Sequence, residues 1–275
     1  MLNIYHENVK QKKPLIHNIT NYVTVNDCAN VLLACGASPI MSDDIEEVTE
    51  ITSICNGLNI NIGTLNQQTI PAMFEAGSKA NALAHPIVLD PVGAGASKLR
   101  TKTAVDLINK VKFAVIRGNI SEIKTLAQGT SSTRGVDADI SDVVTKDNIN
   151  QVIMLAKDFA KKTGAVIAIT GAVDIVADDK IAYVIYNGHS MMSSVTGTGC
   201  QLSSIICAFV AANLDNVLEA TVAAVCTMGV AGEIAYQRLS DMDGNATYRN
   251  YIIDAINNLD GKMLDKMAKY ERYMK

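Results

Sequence analysis

PIVLDPVGAGAS, residues 86–97, decides the fold class. It opens as an almost unbroken apolar run that ends on Asp90, the pattern of a strand buried on both faces. Pro91 and Gly93 then break the run. Short β-branched runs of the same kind recur at Leu58–Ile62, Phe113–Ile116, Ala165–Ile169 and Ile181–Ile185. Between most of them lie segments with helical spacing: Ile45–Cys55, Thr69–Ala82, Thr103–Val111 and Asn148–Lys162. Strands alternating with helices predict an α/β fold, a mostly parallel sheet with helices on both faces. One pair departs from the pattern. Ala165–Thr170 and Val173–Ala177 flank Gly171-Ala172 and precede Asp178-Asp179, which predicts a hairpin and a partly antiparallel edge.

From Gln201 onward the chain reads as mainly helical, with apolar segments at Leu202–Ala212 and Val217–Arg238 that should pack on the sheet. The polar stretch Gly129–Asp142 reads as a loop, and Lys262–Lys275 as a charged C-terminal helix with exposed methionines. No internal repeat or long linker interrupts the 275 residues, so one domain over 1–275 is expected. A formal net charge of −4 offers no general attraction to phosphate backbones or anionic lipid, which argues against nucleic acid and membrane partners. The first residues, MLNIYHENVKQKK, lack a secretory pattern, and Ile205–Leu214, the best apolar run, falls short of a bilayer span. A cytoplasmic protein is expected. The six cysteines form no CxxC pair and sit mostly among apolar residues, as reduced core thiols do.

Four stretches could carry chemistry. In SVTGTGCQLSS, Ser194–Ser204, a strand-like approach gives way to a glycine-rich turn and an apolar helix. Gly197 and Gly199 let the backbone approach an anion, and the helix N-terminus favours phosphate there. Glycine also ends strands and allows tight packing, so the turn alone does not establish a ligand. Cys200, in the first helical turn, is placed where thiolate is favoured over thiol and could accept a proton from an alcohol. A small buried residue at a crowded turn is the plain alternative. In VLDPVGAG, Asp90 ends a strand where ligands of open α/β sheets gather, suited to magnesium or phosphate positioning, or to capping the next turn.

In VIRGNISEI, Val115–Ile123, a strand delivers Arg117, Asn119 and Glu122. Arg117 can donate to phosphate oxygens. Asn119 and Glu122 lie three apart at a helix start, where they could hold hydrated magnesium through oxygen or form a capping box. The fourth stretch, Pro14–Ser42, crowds His17, Asn18, Thr20 and Asn21 before a helix, and Met41 follows the next short strand. The polar groups suit a polar ligand and Met41 suits a flat heterocycle, although on these residues alone caps and core are the favoured explanation.

HNITNYVTVND, VLDPVGAG, the Asn119-x-x-Glu122 pair, AITG at Ala168–Gly171 and VTGTGC together resemble hydroxyethylthiazole kinase, in family order across nearly the whole chain. The resemblance implies a ribokinase-like fold. It also implies transfer of the ATP γ-phosphoryl group to 4-methyl-5-(2-hydroxyethyl)thiazole in thiamine salvage, with Mg2+, and a homotrimer with pockets between subunits. By the same resemblance Met41 and the Gly197 amide contact the thiazole, and Asn21 and Val23 line its pocket. Arg117 and Thr170 bind ATP, and Asp90 and Glu122 organise magnesium and the phosphates. Cys200 stands where many ribokinase-like enzymes carry an aspartate base, a departure that leaves its role as a base open. Rival expectations are a hydroxymethylpyrimidine or sugar kinase on the same fold, a thiazole-binding regulator without catalysis, and a cysteine hydrolase.

Overall fold

The computed structural model describes residues 1–129, 144–145 and 148–274. Among them nine strands form one sheet: β1 (Leu15–Ile19), β2 (Ser38–Met41), β3 (Gly57–Asn61), β4 (Ile87–Asp90), β5 (Val115–Gly118), β6 (Val166–Ile169), β7 (Asp174–Ala177), β8 (Ile181–Ile185) and β9 (Tyr270–Met274). The helices are α1 (Asn3–Lys12), α2 (Val25–Cys35), α3 (Val48–Ile54), α4 (Thr69–Ala82), α5 (Lys98–Lys110), α6 (Ile120–Gly129), α7 (Ile149–Thr163), α8 (Thr198–Ala212), α9 (Val217–Gln237), α10 (Asn245–Asn258) and α11 (Gly261–Met267). The strand order is β2-β1-β3-β4-β5-β6-β7-β8-β9. β2 through β6 in that order are parallel, and β7, β8 and β9 add antiparallel pairs.

The alternation of side chains along each strand divides the core into two layers. Val88, Val115, Val166 and Val176 face one layer, where α1, α2, α8, α9, α10 and α11 pack. Ile87, Leu89, Ile116, Ile167 and Ile175 face the other, covered by α3 to α7. The fold class and the β6–β7 hairpin are as the sequence predicts. The fold also answers where a ligand can sit. The chain leaves β1 towards β2 on one side and leaves β3 towards β4 on the other, so the strand order reverses between β1 and β3, which opens a crevice beyond their carboxyl ends.

Two expectations are corrected. Lys262–Lys275 is not one helix: α11 stops at Met267, Ala268 turns extended, and β9 pairs with β8 from Ile185↔Tyr270 to Ile181↔Met274. Tyr270 packs on one core layer and Tyr273 on the other, an alternation that only an extended segment achieves. The longest apolar helical stretch is Leu214–Gln237, 24 residues with a mean hydropathy of 1.5 in its most apolar window, rather than the shorter run expected. That window is 78% buried within the protein, as the central core helix of an α/β fold should be. The loop expected over Gly129–Asp142 lies, beyond Gly129, outside the described residues.

Candidate active site

α8 begins at a position only glycine can occupy. Gly197 is left-handed, with φ +82°, and a Cβ there would lie 2.1 Å from Cγ2 of Thr24. The approach to it is not a strand. Ser190–Ser194 forms a 3-10 turn, started by the His189 imidazole, which accepts from the Met191 N–H at 3.2 Å, and held by Ser193 Oγ donating to the Ser190 carbonyl at 2.7 Å. Such local bonds outcompete a ladder. Two residues on, Gly199 lies flat under the Arg117 guanidinium, where a Cβ would meet Nη1 and Nη2 at 2.5 Å.

Around this turn runs a continuous polar network. Arg117, at the end of β5, donates from Nε to Thr170 Oγ1 at 3.0 Å, and its Nη1 lies 3.5 Å from Asp90 Oδ1. The other Asp90 oxygen accepts from Asn61 Nδ2 and from Ser203 Oγ, both at 2.8 Å. Asn61 Oδ1 accepts in turn from the Gly63 N–H at 2.9 Å and from Asn21 Nδ2 at 3.0 Å. Asn21 Nδ2 also reaches Cys200 Sγ at 3.2 Å, and Asn21 Oδ1 receives the Thr24 N–H and hydroxyl at 3.2 and 3.1 Å. One turn deeper, Ser204 and Asn59 both donate to Asn18 Oδ1, at 3.0 and 3.1 Å. The first two turns of α8 are thus fastened by side chains to the carboxyl ends of β1, β3 and β4.

Asn59, Asn61 and Ser203 were not singled out in the sequence. The signal of the two asparagines is present in GLNIN, where they alternate along one face of a strand otherwise apolar and fully buried. Buried amides at such spacing are costly unless they are satisfied.

Burial pushes the Asp90 carboxyl up, against the opposing pull of Arg117, Ser203 and Asn61. Burial also pushes the Cys200 thiol up, and the nearby Asp90 adds to this while Asn21 and Arg117 oppose it. The expected thiolate preference at the helix end is therefore overturned, because desolvation outweighs the helix terminus. The remaining five cysteines are free and buried, as expected.

Glu122 forms the capping box that the sequence offered as one alternative. Its Oε2 accepts from the Asn119 N–H at 2.8 Å, and Asn119 Oδ1 accepts from the Glu122 N–H at 2.9 Å. Its Oε1 accepts from the Gly93 N–H at 2.8 Å, tying the VGAG loop after Asp90 to the start of α6. Burial raises the pKa of Glu122, and the Asp90 charge raises it further, which places both carboxylates in one electrostatic neighbourhood. Among the described residues, no group of three or more His, Cys, Asp or Glu side chains is arranged to hold a metal ion. The pair still fits magnesium bound through water and substrate phosphates, which needs only one or two carboxylates with lone pairs to spare.

Two cavities flank the network. A larger one of about 590 Å³ is lined by Arg117, Thr170, Asp174, His189, Thr198 and Gly199 among others. Asp174, on its wall, accepts the Gly171 N–H at 2.9 Å, and burial lifts its carboxyl to about 7. The smaller cavity, about 210 Å³, opens beyond β1, β2 and β3 and is lined by Asn18, Thr20, Met41, Ser42, Asn61 and Met73 among others. This is the crevice where the strand order reverses. Arg117 and Thr170 thus lie on one cavity and Met41 on the other. Asn21, Asp90 and Cys200 are buried between them. Val23 is 57% exposed and does not line the smaller cavity of this chain, whereas Val25 does.

A sequence model of the hydroxyethylthiazole kinase family matches residues 6–262. The hydroxyethylthiazole kinase of Clostridium acetobutylicum is 65% identical over 267 residues, covering 97% of this chain and 98% of its own. That of Ruminiclostridium cellulolyticum is 50% identical over 95% of this chain and 93% of its own. Among solved structures, the hydroxyethylthiazole kinase of Pyrococcus horikoshii superposes with a TM-score of 0.88 at 33% identity, covering 99% of this chain and 98% of its own. A ribokinase-like superfamily protein of Enterococcus faecalis, 13% identical, superposes with a TM-score of 0.62 over 96% of this chain and 89% of its own, a likeness of fold.

Proposed function

The chain belongs to the hydroxyethylthiazole kinase family, and from that premise we infer that it transfers the γ-phosphoryl group of ATP to the primary alcohol of 4-methyl-5-(2-hydroxyethyl)thiazole, a step of thiamine salvage. The observation that carries this reading is the chain of polar contacts Arg117–Asp90–Asn61, which runs beside the Gly197–Cys200 turn from the lining of the larger cavity to that of the smaller. A nucleotide in the larger cavity and an alcohol in the smaller one would face each other across it. In the transfer, the alcohol oxygen bonds to the γ-phosphorus, the bond to the β,γ-bridging oxygen breaks, and ADP departs with that electron pair. Such a reaction asks for alignment and charge neutralisation more than for covalent help.

Arg117, held by Thr170 and Asp90, donates to the phosphate oxygens from a fixed fork. The amides of Thr198 and Gly199, at a helix N-terminus with no acidic residue in its first turn, receive the moving phosphoryl group. Asp90 and Glu122 would hold Mg2+ through water, where it would neutralise phosphate charge. Met41 and Met73 enclose the thiazole ring. Cys200, with its thiol pKa raised by burial, is mostly protonated at neutral pH, so its main part is to orient the alcohol, and only the minor thiolate form can take the alcohol proton as the new bond forms. Tyr22 and Val23, side chains 77% and 57% exposed on the loop after β1, offer a surface that a neighbouring subunit of the implied homotrimer would cover.

The deciding experiment incubates the purified protein with magnesium, ATP and the thiazole alcohol and follows the phosphate ester by mass. Ester and ADP in equal amounts are expected. ADP without ester, or ester from a pyrimidine alcohol in preference to the thiazole, would refute the assignment.

A further inference from the structure

His17 lies in the middle of β1, between β2 and β3, and its side chain points into the layer formed by Ile19, Val48, Leu58 and Ile60. It is wholly buried. A β-branched residue would suit that apolar layer, and a polar ring there is costly unless both nitrogens are paired. Both are. Nε2 lies 2.9 Å from the Ser42 carbonyl, and Nδ1 lies 3.0 Å from Thr52 Oγ1 of α3. A carbonyl can only accept, so Nε2 carries the hydrogen and Nδ1 accepts from the threonine hydroxyl.

Ser42 is the first residue beyond β2, where the ladder no longer fixes the chain. Met41, Ser42 and Asp43 together form one wall of the smaller cavity. Besides His17, the Ser42 side chain is anchored by donating to Glu47 Oε1 at 2.6 Å, and its amide reaches the Asn18 carbonyl at a long 3.4 Å. We propose that His17 is a positioning residue of the smaller cavity: from inside the core it holds the Ser42 carbonyl, and through it the Met41–Asp43 wall against which the alcohol substrate packs. This rests on the reading that the smaller cavity takes the alcohol. It assigns a binding consequence to a buried residue that never touches the ligand.

Two substitutions separate the two ring nitrogens. His17→Gln carries an amide nitrogen to about the position of Nε2 and keeps the bond to Ser42. His17→Asn reaches only to about the position of Nδ1 and abandons it. The asparagine variant is expected to raise KM for the thiazole alcohol about tenfold, leaving KM for ATP and kcat within about twofold, because an unpaired buried carbonyl lets the wall shift. The glutamine variant is expected to keep the alcohol KM within about threefold of the parent. Thr52→Val, which strips only the far partner, lowers the thermal midpoint and leaves the alcohol KM in place. Equal effects on both substrates, or equal losses in the asparagine and glutamine variants, mean a merely structural histidine and overturn the proposal.

Calorimetric titration of the parent and of Met41→Ala with the alcohol tests the cavity by itself. Weakened binding in Met41→Ala alongside an unchanged His17→Asn variant overturns the role of His17 while leaving the cavity assignment standing.

Discussion

Gly199→Ala forces a methyl group against the Arg117 guanidinium. Its Cβ would lie 2.5 Å from both terminal nitrogens of Arg117 and 2.8 Å from Cζ, against an ordinary separation of about 3.5 Å. The backbone of α8 is pinned by Ser203 to Asp90, so the flexible guanidinium is the part that retreats, by about 1 Å. That motion takes Arg117 out of register with Thr170 and with Asp90 Oδ1, which it now meets at 3.0 and 3.5 Å. A charge-assisted bond to phosphate is worth about 1.5–3 kcal/mol, so affinity for ATP should fall about 10- to 150-fold. Alanine favours a helix over glycine by up to about 1 kcal/mol, which offsets part of the cost to the fold and keeps the variant foldable.

Titration with ATP and with the thiazole alcohol, separately, reads the effect: the first should weaken and the second should stay within about twofold. A double-mutant cycle with Arg117→Ala sharpens it, since on that background the added methyl meets no guanidinium and should cost little. Gly199→Ala with parental ATP affinity, or full additivity in the cycle, would refute the reasoning.

Cys200→Asp should retain phosphorylation, since Asn21 Nδ2, now 3.2 Å from the sulfur, can donate equally to a carboxylate, whereas Cys200→Ala should slow it. Complete loss of turnover in the aspartate variant would argue against any proton-accepting part for this position. Asp174→Asn concerns stability and pH. The native carboxyl, lifted to about 7 by burial from an ordinary 3.8, binds its proton more tightly than the unfolded chain does. Stability is therefore lost as pH rises from about 4 through about 7, and the charge penalty is complete above that. Asparagine keeps an oxygen for the Gly171 N–H but carries no charge. The ligand-free variant should be more stable than the parent at pH 8 by about 2 kcal/mol, less than the full shift implies because Asp174 is only half-buried on a cavity wall that water reaches. The gap should close by about pH 4, and a urea series with an identical gap at both ends of that range would disprove the assignment.

The parts of this site that the sequence exposes are those that interrupt a pattern. Asp90 and Arg117 are charged residues at the ends of apolar strands, and Gly197 and Gly199 stand at the opening of an apolar helix. Each breaks a periodicity that composition and spacing make visible. Ser203 breaks no such rule from outside, and Asn61 shows only as one of two asparagines alternating along β3. Only the register of β3 beside β4, with α8 laid across both, turns them into the two donors on Asp90 Oδ2. The same holds for Cys200. Its place at a helix N-terminus is a local fact that predicts a lowered pKa, while the burial that reverses the sign comes from β1 and β3, more than a hundred residues away in the chain.

The C-terminus makes the converse point. Tyr270–Met274 has charges at spacings that a helix accepts, and only the unpaired edge of β8 gives an extended chain something better to do. What distinguishes the site from the rest of the polar surface is thus satisfaction by distant partners. Asp90, wholly buried at the end of β4, gathers donors from β3, β5 and α8, and that convergence joins a nucleotide-sized cavity to a smaller one across a single wall. Removing any one donor leaves a buried carboxylate short of partners, so the wall should fail as a unit, with substitutions at Asn61, Arg117 and Ser203 showing strong coupling rather than independent small losses.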